Sequence, residues 1–117
     1  MSRRLPVVAG TFYAGDAEDL RRQVESHLPK AERSRAIAVI VPHAGYRYSG
    51  PVAGAVYARV EVTPTVVLLA FHHRGWGPSY SVWSEGAWSN PMGAVEVDSD
   101  LAGRIREAFP SAEDDEM

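Results

Sequence analysis

The chain has 117 residues, of which 45% are hydrophobic and 23% are charged, a composition that fits one globular domain and excludes a disordered chain. It has no cysteine, which excludes a disulfide framework, a thiolate metal site and a cysteine nucleophile, and its formal net charge is −3. The sequence has no basic face and no apolar run of the roughly 18 residues that span a membrane. We therefore expect a cytoplasmic protein that binds neither nucleic acid nor membrane.

The first regular element predicted along the chain is a helix. It follows a short apolar and aromatic segment at residues 7–13, and Asp16 suits its N-cap. Apolar residues recur every four positions at Leu20, Val24 and Leu28. Pro29 then ends the helix, and His27 falls on its polar side, where we expect no functional role.

Two continuous apolar runs, at residues 36–41 and 65–70, have the pattern of strands that are covered on both faces. Between them, Pro51 suits the first turn of a helix, and the break at residues 63–64 ends it. Strand, helix and strand over about thirty residues predict a βαβ unit. We therefore expect an α/β fold based on this unit, with a mainly parallel sheet and flanking helices.

The remaining sequence predicts smaller elements. Residues 81–83 and 87–88 read as a hairpin, residues 94–97 as a short strand, and the stretch after Asp98 or Ser99 as a last helix. That helix has an apolar stripe at Leu101, Ile105 and Phe109. We expect one domain over residues 1–112 and a disordered acidic end at residues 113–117.

Both predicted parallel strands end in histidine. His43 follows the first strand by two positions, and His73 follows the second by three. Ligands collect at the carboxyl ends of parallel strands, so adjacent strands would let these two imidazoles converge on one metal ion. Imidazole suits iron, copper, nickel and zinc alike, so the residue type does not choose the metal.

Simpler interpretations stay open for these residues. Loop histidines are more often structural than ligating, and neighbours in extended backbone point to opposite sides, so only one of His72 and His73 faces the cleft. A catalytic metal usually has three protein ligands. Asp16, Glu85 and Asp98 are candidates for the third, although each is better explained as a cap or a loop carboxylate.

Aromatic residues in the loops are candidates for a ligand pocket. Phe12, Tyr46 and Tyr48 belong to loops that could rim the cleft beside the predicted strands. The other aromatic residues are too dispersed for a base-stacking platform, and we expect most of them to lie in the core.

Four segments in order form a recognisable set of motifs. They are residues 8–13 (VAGTFY), 41–50 (VPHAGYRYSG), 73–77 (HRGWG) and 88–98, which begins WSNPMG and ends VEVD. These segments resemble the Memo family, also called AmmeMemoRadiSam system protein B, and the second resembles the family's most distinctive motif, PHAGYxYSG. Together they cover nearly the whole chain.

This resemblance implies a fold like that of class III extradiol dioxygenases, which use non-haem iron. It implies a metal, iron or copper, on two histidines that match His43 and His73, with a further ligand from much later in the chain. A peptide-binding cleft with aromatic positions matching Phe12 and Tyr48 is also implied. The prokaryotic grouping implies radical-SAM and AMMECR-type proteins as partners. If the protein is an enzyme, the resemblance favours a metal-dependent oxidoreductase of dioxygenase-like type.

The sequence departs from the family pattern in two places. Residues 70–71 (AF) replace the usual Gly-Pro before the second histidine loop, so His72 could take the place of His73. Family members are more than twice as long, so we expect this chain to be the N-terminal part, with an incomplete sheet and without the later ligand. Three hypotheses follow: a metal enzyme, a non-catalytic binding module that uses the same cleft, and an inert fragment.

Overall fold

The structure is a computed structural model that describes residues 2–115. Its elements in chain order are β1 (Arg3–Arg4), α1 (Ala17–His27), α2 (Tyr46–Tyr57), β2 (Ser81–Val82), β3 (Ala87–Asn90), β4 (Gly93–Glu96), α3 (Ser99–Ala108) and β5 (Glu113–Asp114). The described residues divide into two compact units. The helical unit comprises residues 6–64 and 90–93, and the strand unit comprises the rest.

Helix α1 confirms the prediction made from its cap and its apolar spacing. The Asp16 carboxylate accepts hydrogen bonds from the backbone N–H groups of Glu18 and Asp19, at 3.0 and 3.1 Å. These bonds satisfy donors that have no partner within the helix. Leu20, from the predicted stripe, is buried with 4% of its surface exposed.

Helix α2 is also confirmed, but it begins five residues before Pro51, at Tyr46. The Gly45 carbonyl accepts from the N–H groups of Tyr48 and Ser49, at 2.8 and 3.1 Å. The Ser49 hydroxyl donates to the Ala44 carbonyl at 2.8 Å. These bonds close the first turn within the glycine- and tyrosine-rich segment that the sequence suggested was a loop.

The predicted βαβ unit is not formed among the described residues. Residues 36–41 and 65–70 belong to no strand, and their apolar side chains are largely exposed. An apolar run joins a sheet only when a neighbouring strand supplies hydrogen-bond partners. All the described strands pair with one another instead, in a three-stranded sheet ordered β1-β3-β4 and a two-stranded sheet of β2 and β5. The chain is α/β, with small sheets.

The predicted hairpin is wrong in its pairing. Strands β2 and β3 both form, but β3 pairs in parallel with β1, and β2 pairs in parallel with β5. The Arg4 guanidinium lies 4.2 Å from the centroid of the Trp88 ring, a cation–π contact that favours the pairing of β1 with β3. The partner strands β1 and β5 are distant in sequence from β3 and β2, and a hairpin pattern indicates pairing only between neighbouring strands.

The C-terminal elements follow the sequence more closely. Asp98 caps α3 by accepting from the Leu101 N–H at 3.0 Å. Within the acidic end that we expected to be disordered, β5 pairs with β2. The Asp114 carboxylate accepts from Ser84 and forms an ion pair with Arg106 at 3.0 Å. Residues 116 and 117 of that end lie outside the described residues.

No described helix has both the length and the apolar character needed to cross a lipid bilayer.

Candidate functional site

The candidate site begins with the loop at residues 8–13, in the helical unit. The Val8 carbonyl accepts from the Phe12 N–H at 2.9 Å, and the Gly10 N–H donates to the Tyr13 carbonyl at 2.7 Å. Gly10 has a φ of 81°, a conformation that residues with a Cβ rarely adopt. Glycine at this position lets the loop fold back on itself and hold the two aromatic residues in a closed turn.

The loop is attached to both helices of its unit. The Tyr46 N–H, at the start of α2, donates to the Phe12 carbonyl at 2.8 Å. The Ala14 N–H donates to the Gln23 side chain of α1 at 2.9 Å. Residues 8–13 are therefore fixed against the N-terminal end of α2, although they belong to no helix or regular strand.

Helices α1 and α2 approach very closely where α2 has two glycines. A Cβ on Gly54 would lie 2.0 Å from the backbone oxygen of His27, and a Cβ on Gly50 would lie 2.6 Å from His27 Nε2. Both distances are shorter than any normal van der Waals contact, so a Cβ at either position would force a neighbour to move; at Gly54 that neighbour is backbone, whereas at Gly50 it is the end of the His27 side chain. The two glycines therefore place the end of α1, and the His27 ring, directly against α2.

A cavity of about 330 Å³ lies between the loop and the two helices. Its walls are mostly apolar, and polar side-chain atoms come from histidine, tyrosine and serine. The lining residues are Val8, Phe12, Tyr13, Val24, His27, Leu28, Val41, Pro42, His43, Ala44, Tyr46, Ser49, Gly50, Ala53, Gly54 and Tyr57. Apolar walls with a few polar groups are typical of sites for small ligands.

Tyr46 lies at the centre of an aromatic cluster in this wall. Its ring centroid is 5.4 Å from that of Tyr13 and 6.5 Å from that of His27, and the Tyr46 and His27 rings are inclined at 76° to each other. Burial raises the pKa of the Tyr46 hydroxyl above its ordinary value of 10.0, and the neighbouring Tyr13 and Tyr57 add to the shift. The hydroxyl is thus held in its neutral form.

The raised pKa of Tyr46 predicts how stability changes at high pH. The folded chain holds this proton more tightly than the unfolded chain, so the stabilisation is complete below pH about 10 and is lost as the pH rises through the raised pKa. The free energy of unfolding should therefore fall more steeply between pH about 9 and 12 in the wild type than in Tyr46→Phe. Urea denaturation over this range measures it, with Tyr48→Phe as the control; equal flattening by both variants would contradict the assignment to Tyr46.

Three of the residues predicted from sequence meet at the cavity: Phe12, His43 and Tyr46 all line it. Tyr48 is not among the lining residues, and 78% of its surface is exposed. Its ring is still near the loop at residues 8–13. A Cβ built on Gly45 would lie 3.8 Å from Tyr48 Cδ2 and 3.4 Å from the Phe12 backbone oxygen, so both residues lie close to the same point. Tyr48 is therefore on the surface close to the cavity rather than in its wall.

His73 lies in the strand unit, where its ring contacts Phe71 with the centroids 4.6 Å apart. The neighbouring His72 has a different environment. His72 Nε2 is 3.2 Å from the Ser81 hydroxyl, which donates to the Asp115 carboxylate at 3.2 Å. The two adjacent histidines thus contact different partners.

The three carboxylates considered as a third metal ligand do not assemble with the histidines into a site. Within residues 2–115, no group of three or more His, Cys, Asp or Glu side chains is placed to hold a metal ion. Asp16 and Asp98 cap helices, and Asp98 also accepts from the Thr65 hydroxyl at 3.2 Å. The expectation that these two residues are caps is confirmed.

His27 is a lining residue that the sequence analysis dismissed. We assigned it to the polar side of α1 without a role, yet it is half-buried, contacts α2 and lines the cavity. The signal that could have revealed it lies in the partner helix. Glycines four positions apart on α2 predict a close helix crossing there, and His27 is the last residue of the helix that crosses.

Comparisons with known proteins show the family to which this chain belongs. The family model described as "Memo-like protein" matches residues 4–117. A MEMO1 family protein of Aquifex aeolicus is 44% identical over 119 residues, which covers 99% of this chain and 44% of that relative. MEMO1 family proteins of Aeropyrum pernix and Sulfurisphaera tokodaii are 43% and 39% identical, over 90% and 85% of this chain and 42% and 40% of their own lengths.

The chain therefore spans less than half the length of these relatives. The family model nevertheless covers all the segments on which the sequence resemblance rests, including both histidine loops. The chain belongs to the Memo-like protein family.

Proposed function

We propose that this chain binds an apolar or aromatic side chain of a peptide in the cavity of the helical unit. The observation that carries the proposal is the cavity itself, about 330 Å³ in volume, with Phe12, Tyr13, Tyr46 and Tyr57 in its walls. This volume is at the lower end of the range for ligand sites, roughly 300–1,000 Å³, so it suits one ring or branched side chain.

The walls also set the expected strength of binding. Burying one large apolar side chain contributes about 1.5–3 kcal/mol, so the cavity alone should bind weakly, with most of a peptide's affinity coming from contacts outside it. The polar groups of Ser49, Tyr46 and His27 can orient a ligand that carries a single hydroxyl or ring N–H. Tyr48 and Phe12, which lie near each other around Gly45, offer exposed aromatic surface for the rest of the peptide.

Filling the cavity tests this proposal. Indole and 4-methylphenol, which correspond to tryptophan and tyrosine side chains, should bind the wild type at millimolar concentration and shift the NMR signals of the lining rings. Ala53→Leu places a larger side chain in the wall and should weaken binding at least about tenfold. The control is Val52→Leu, which changes a residue of the same helix that is 57% exposed and absent from the lining. Equal binding by the two variants would rule out this cavity as the site.

We propose as a second function that His43 and His73 are ligands of a mononuclear non-haem metal, iron or copper. His43 at the cavity would then place the metal beside the bound group. The imidazole donors suit both metals. The described residues do not complete a ligand set, so the proposal requires a further donor besides these two histidines. By resemblance, a complete site would support dioxygenase-like oxidation, with radical-SAM and AMMECR-type proteins as partners.

Metal affinity tests the histidine assignment separately from catalysis. Calorimetric titration of ferrous iron under argon, and of Cu(I), should give measurable binding that His43→Ala with His73→Ala reduces at least about tenfold. His27→Ala is the control for a histidine in the same cavity wall, and His72→Ala shows which member of the adjacent pair is the ligand. A double variant that binds as tightly as the wild type would overturn the assignment.

A further inference from the structure

The structure leaves two strongly apolar segments open to solvent, at residues 36–41 and 65–70. In the first, Ile37 and Ile40 are 107% and 95% exposed. In the second, Leu68 and Leu69 are 71% and 93% exposed. Both segments lack helix and strand structure. Each lies in a different compact unit, so each unit carries one such segment.

Apolar residues at consecutive positions distinguish these segments from ordinary surface residues. In a strand, successive side chains point to opposite sides, so with these segments paired as strands Ile37 and Ile40 would lie on opposite faces, as would Leu68 and Leu69. A strand at a solvated surface alternates between apolar and polar residues, whereas one covered on both faces is apolar throughout. The 36–41 and 65–70 segments have the second pattern, and the described residues leave these side chains exposed.

Their composition also suits strand pairing with another polypeptide. Valine and isoleucine make up four of the six residues at 36–41, and neither segment contains proline, glycine or a charged residue. Residues of this kind favour strands. An exposed, uncharged segment of this type is a template for strand addition, in which main-chain hydrogen bonds supply affinity and alternate side chains supply specificity.

We propose that the 36–41 and 65–70 segments are docking strands for the part of a Memo-length polypeptide that this chain does not match. The lengths of the relatives favour this occupant. The chain aligns over 99% of its own length with only 44% of the A. aeolicus relative, so more than half of that protein lies outside the match. The two segments are within the aligned part, and the partner supplies the neighbouring strands and the cover for both faces.

Co-expression tests the proposal with the full chain. A tagged form of this chain is produced together with the region of the A. aeolicus relative that lies outside the match. The expected result is a one-to-one complex by light scattering, with hydrogen exchange slowed at least about tenfold at residues 37–41 and 66–70. The chain alone should exchange rapidly at these positions.

Charge placed in the segments tests the docking strands directly. Ile40→Lys with Leu69→Lys should weaken the complex at least about tenfold, because the charge would be desolvated between strands. The control is Val7→Lys with Val62→Lys, which adds the same charge at residues that are 81% and 66% exposed outside both segments. Circular dichroism of each variant alone checks that α1, α2 and α3 remain folded. A homodimer that protects the same segments, the absence of a complex with the relative's region, or equal weakening by both pairs would overturn the proposal.

Discussion

Replacement of Gly54 by alanine should destabilise the chain by about 3 kcal/mol or more, the upper part of the range for overpacking. The new Cβ would lie 2.0 Å from the His27 backbone oxygen and 2.7 Å from its carbonyl carbon. Backbone atoms cannot rotate away, so α1 must move as a unit. Alanine gains about 1 kcal/mol over glycine in a helix interior, which is too little to offset the clash.

The movement of α1 should also damage the candidate site. Val24, His27 and Leu28 reach the cavity from α1 or its end, so their displacement alters one whole wall. Gly54→Ala should therefore lose indole binding as well as stability. Chemical denaturation measures the first effect, and the NMR titration described for Ala53→Leu measures the second.

Two other glycines serve as controls for Gly54. A Cβ added to Gly103, within α3, would meet no neighbouring atom within 4 Å, so Gly103→Ala should stabilise the chain by about 0.5–1 kcal/mol. Gly50→Ala meets the end of the His27 side chain, which can rotate, and should cost less than Gly54→Ala. If Gly54→Ala matched Gly103→Ala in stability, the close crossing of α1 and α2 would be wrong.

Helices were predictable from the sequence because their signals are local. Asp16 and Asp98 each cap a helix by accepting from N–H groups two or three residues ahead, and the apolar stripes recur within the same segments. These contacts depend on neighbours in the chain. Even so, the start of α2 was misplaced, because its N-cap is Gly45, which has no side chain to form a cap hydrogen bond and so gives a weak signal.

Strand pairing was not predictable, because the partners are distant in sequence. The pairing of β1 with β3 joins Arg4 to Trp88, and that of β2 with β5 joins Val82 to Asp114. At residues 36–41 the apolar pattern predicted a strand that the structure does not contain. An apolar run indicates that a segment can form a strand covered on both faces. Whether the strand forms also depends on a neighbouring strand that supplies hydrogen-bond partners.

The candidate site was predictable only where its residues carry a local sequence signal. Phe12, His43 and Tyr46 were selected because their segments carry aromatic or imidazole side chains at the ends of apolar runs, and all three line the cavity. His27 was missed because its position depends on the glycines of a different helix. Whether His43 and His73 share a metal stays a prediction, since each belongs to a separate unit.

Replacement of Gly86 by alanine should be the second strongly destabilising change, by about 3 kcal/mol or more, because two costs combine. Gly86 has a φ of 81°, which costs a residue with a Cβ about 1–2 kcal/mol. Its Cβ would also lie 2.0 Å from the Ser2 backbone oxygen, and overpacking of this kind costs about 1–3 kcal/mol. The Ser2 oxygen accepts from the Ala87 N–H at 3.1 Å, next to the pairing of β1 with β3, so relief of the clash would strain that pairing.

Gly10 separates the two costs, because it has the same φ of 81° but no atom within 4 Å of an added Cβ. Gly10→Ala should therefore show the conformational cost alone, about 1–2 kcal/mol. Asparagine tolerates positive φ better than alanine, so Gly10→Asn should be nearly neutral while Gly86→Asn remains costly. Urea denaturation of the four variants gives the comparison. If asparagine rescued both positions equally, the contact with Ser2 would have no energetic weight, and β1 would not be held against β3 at this point.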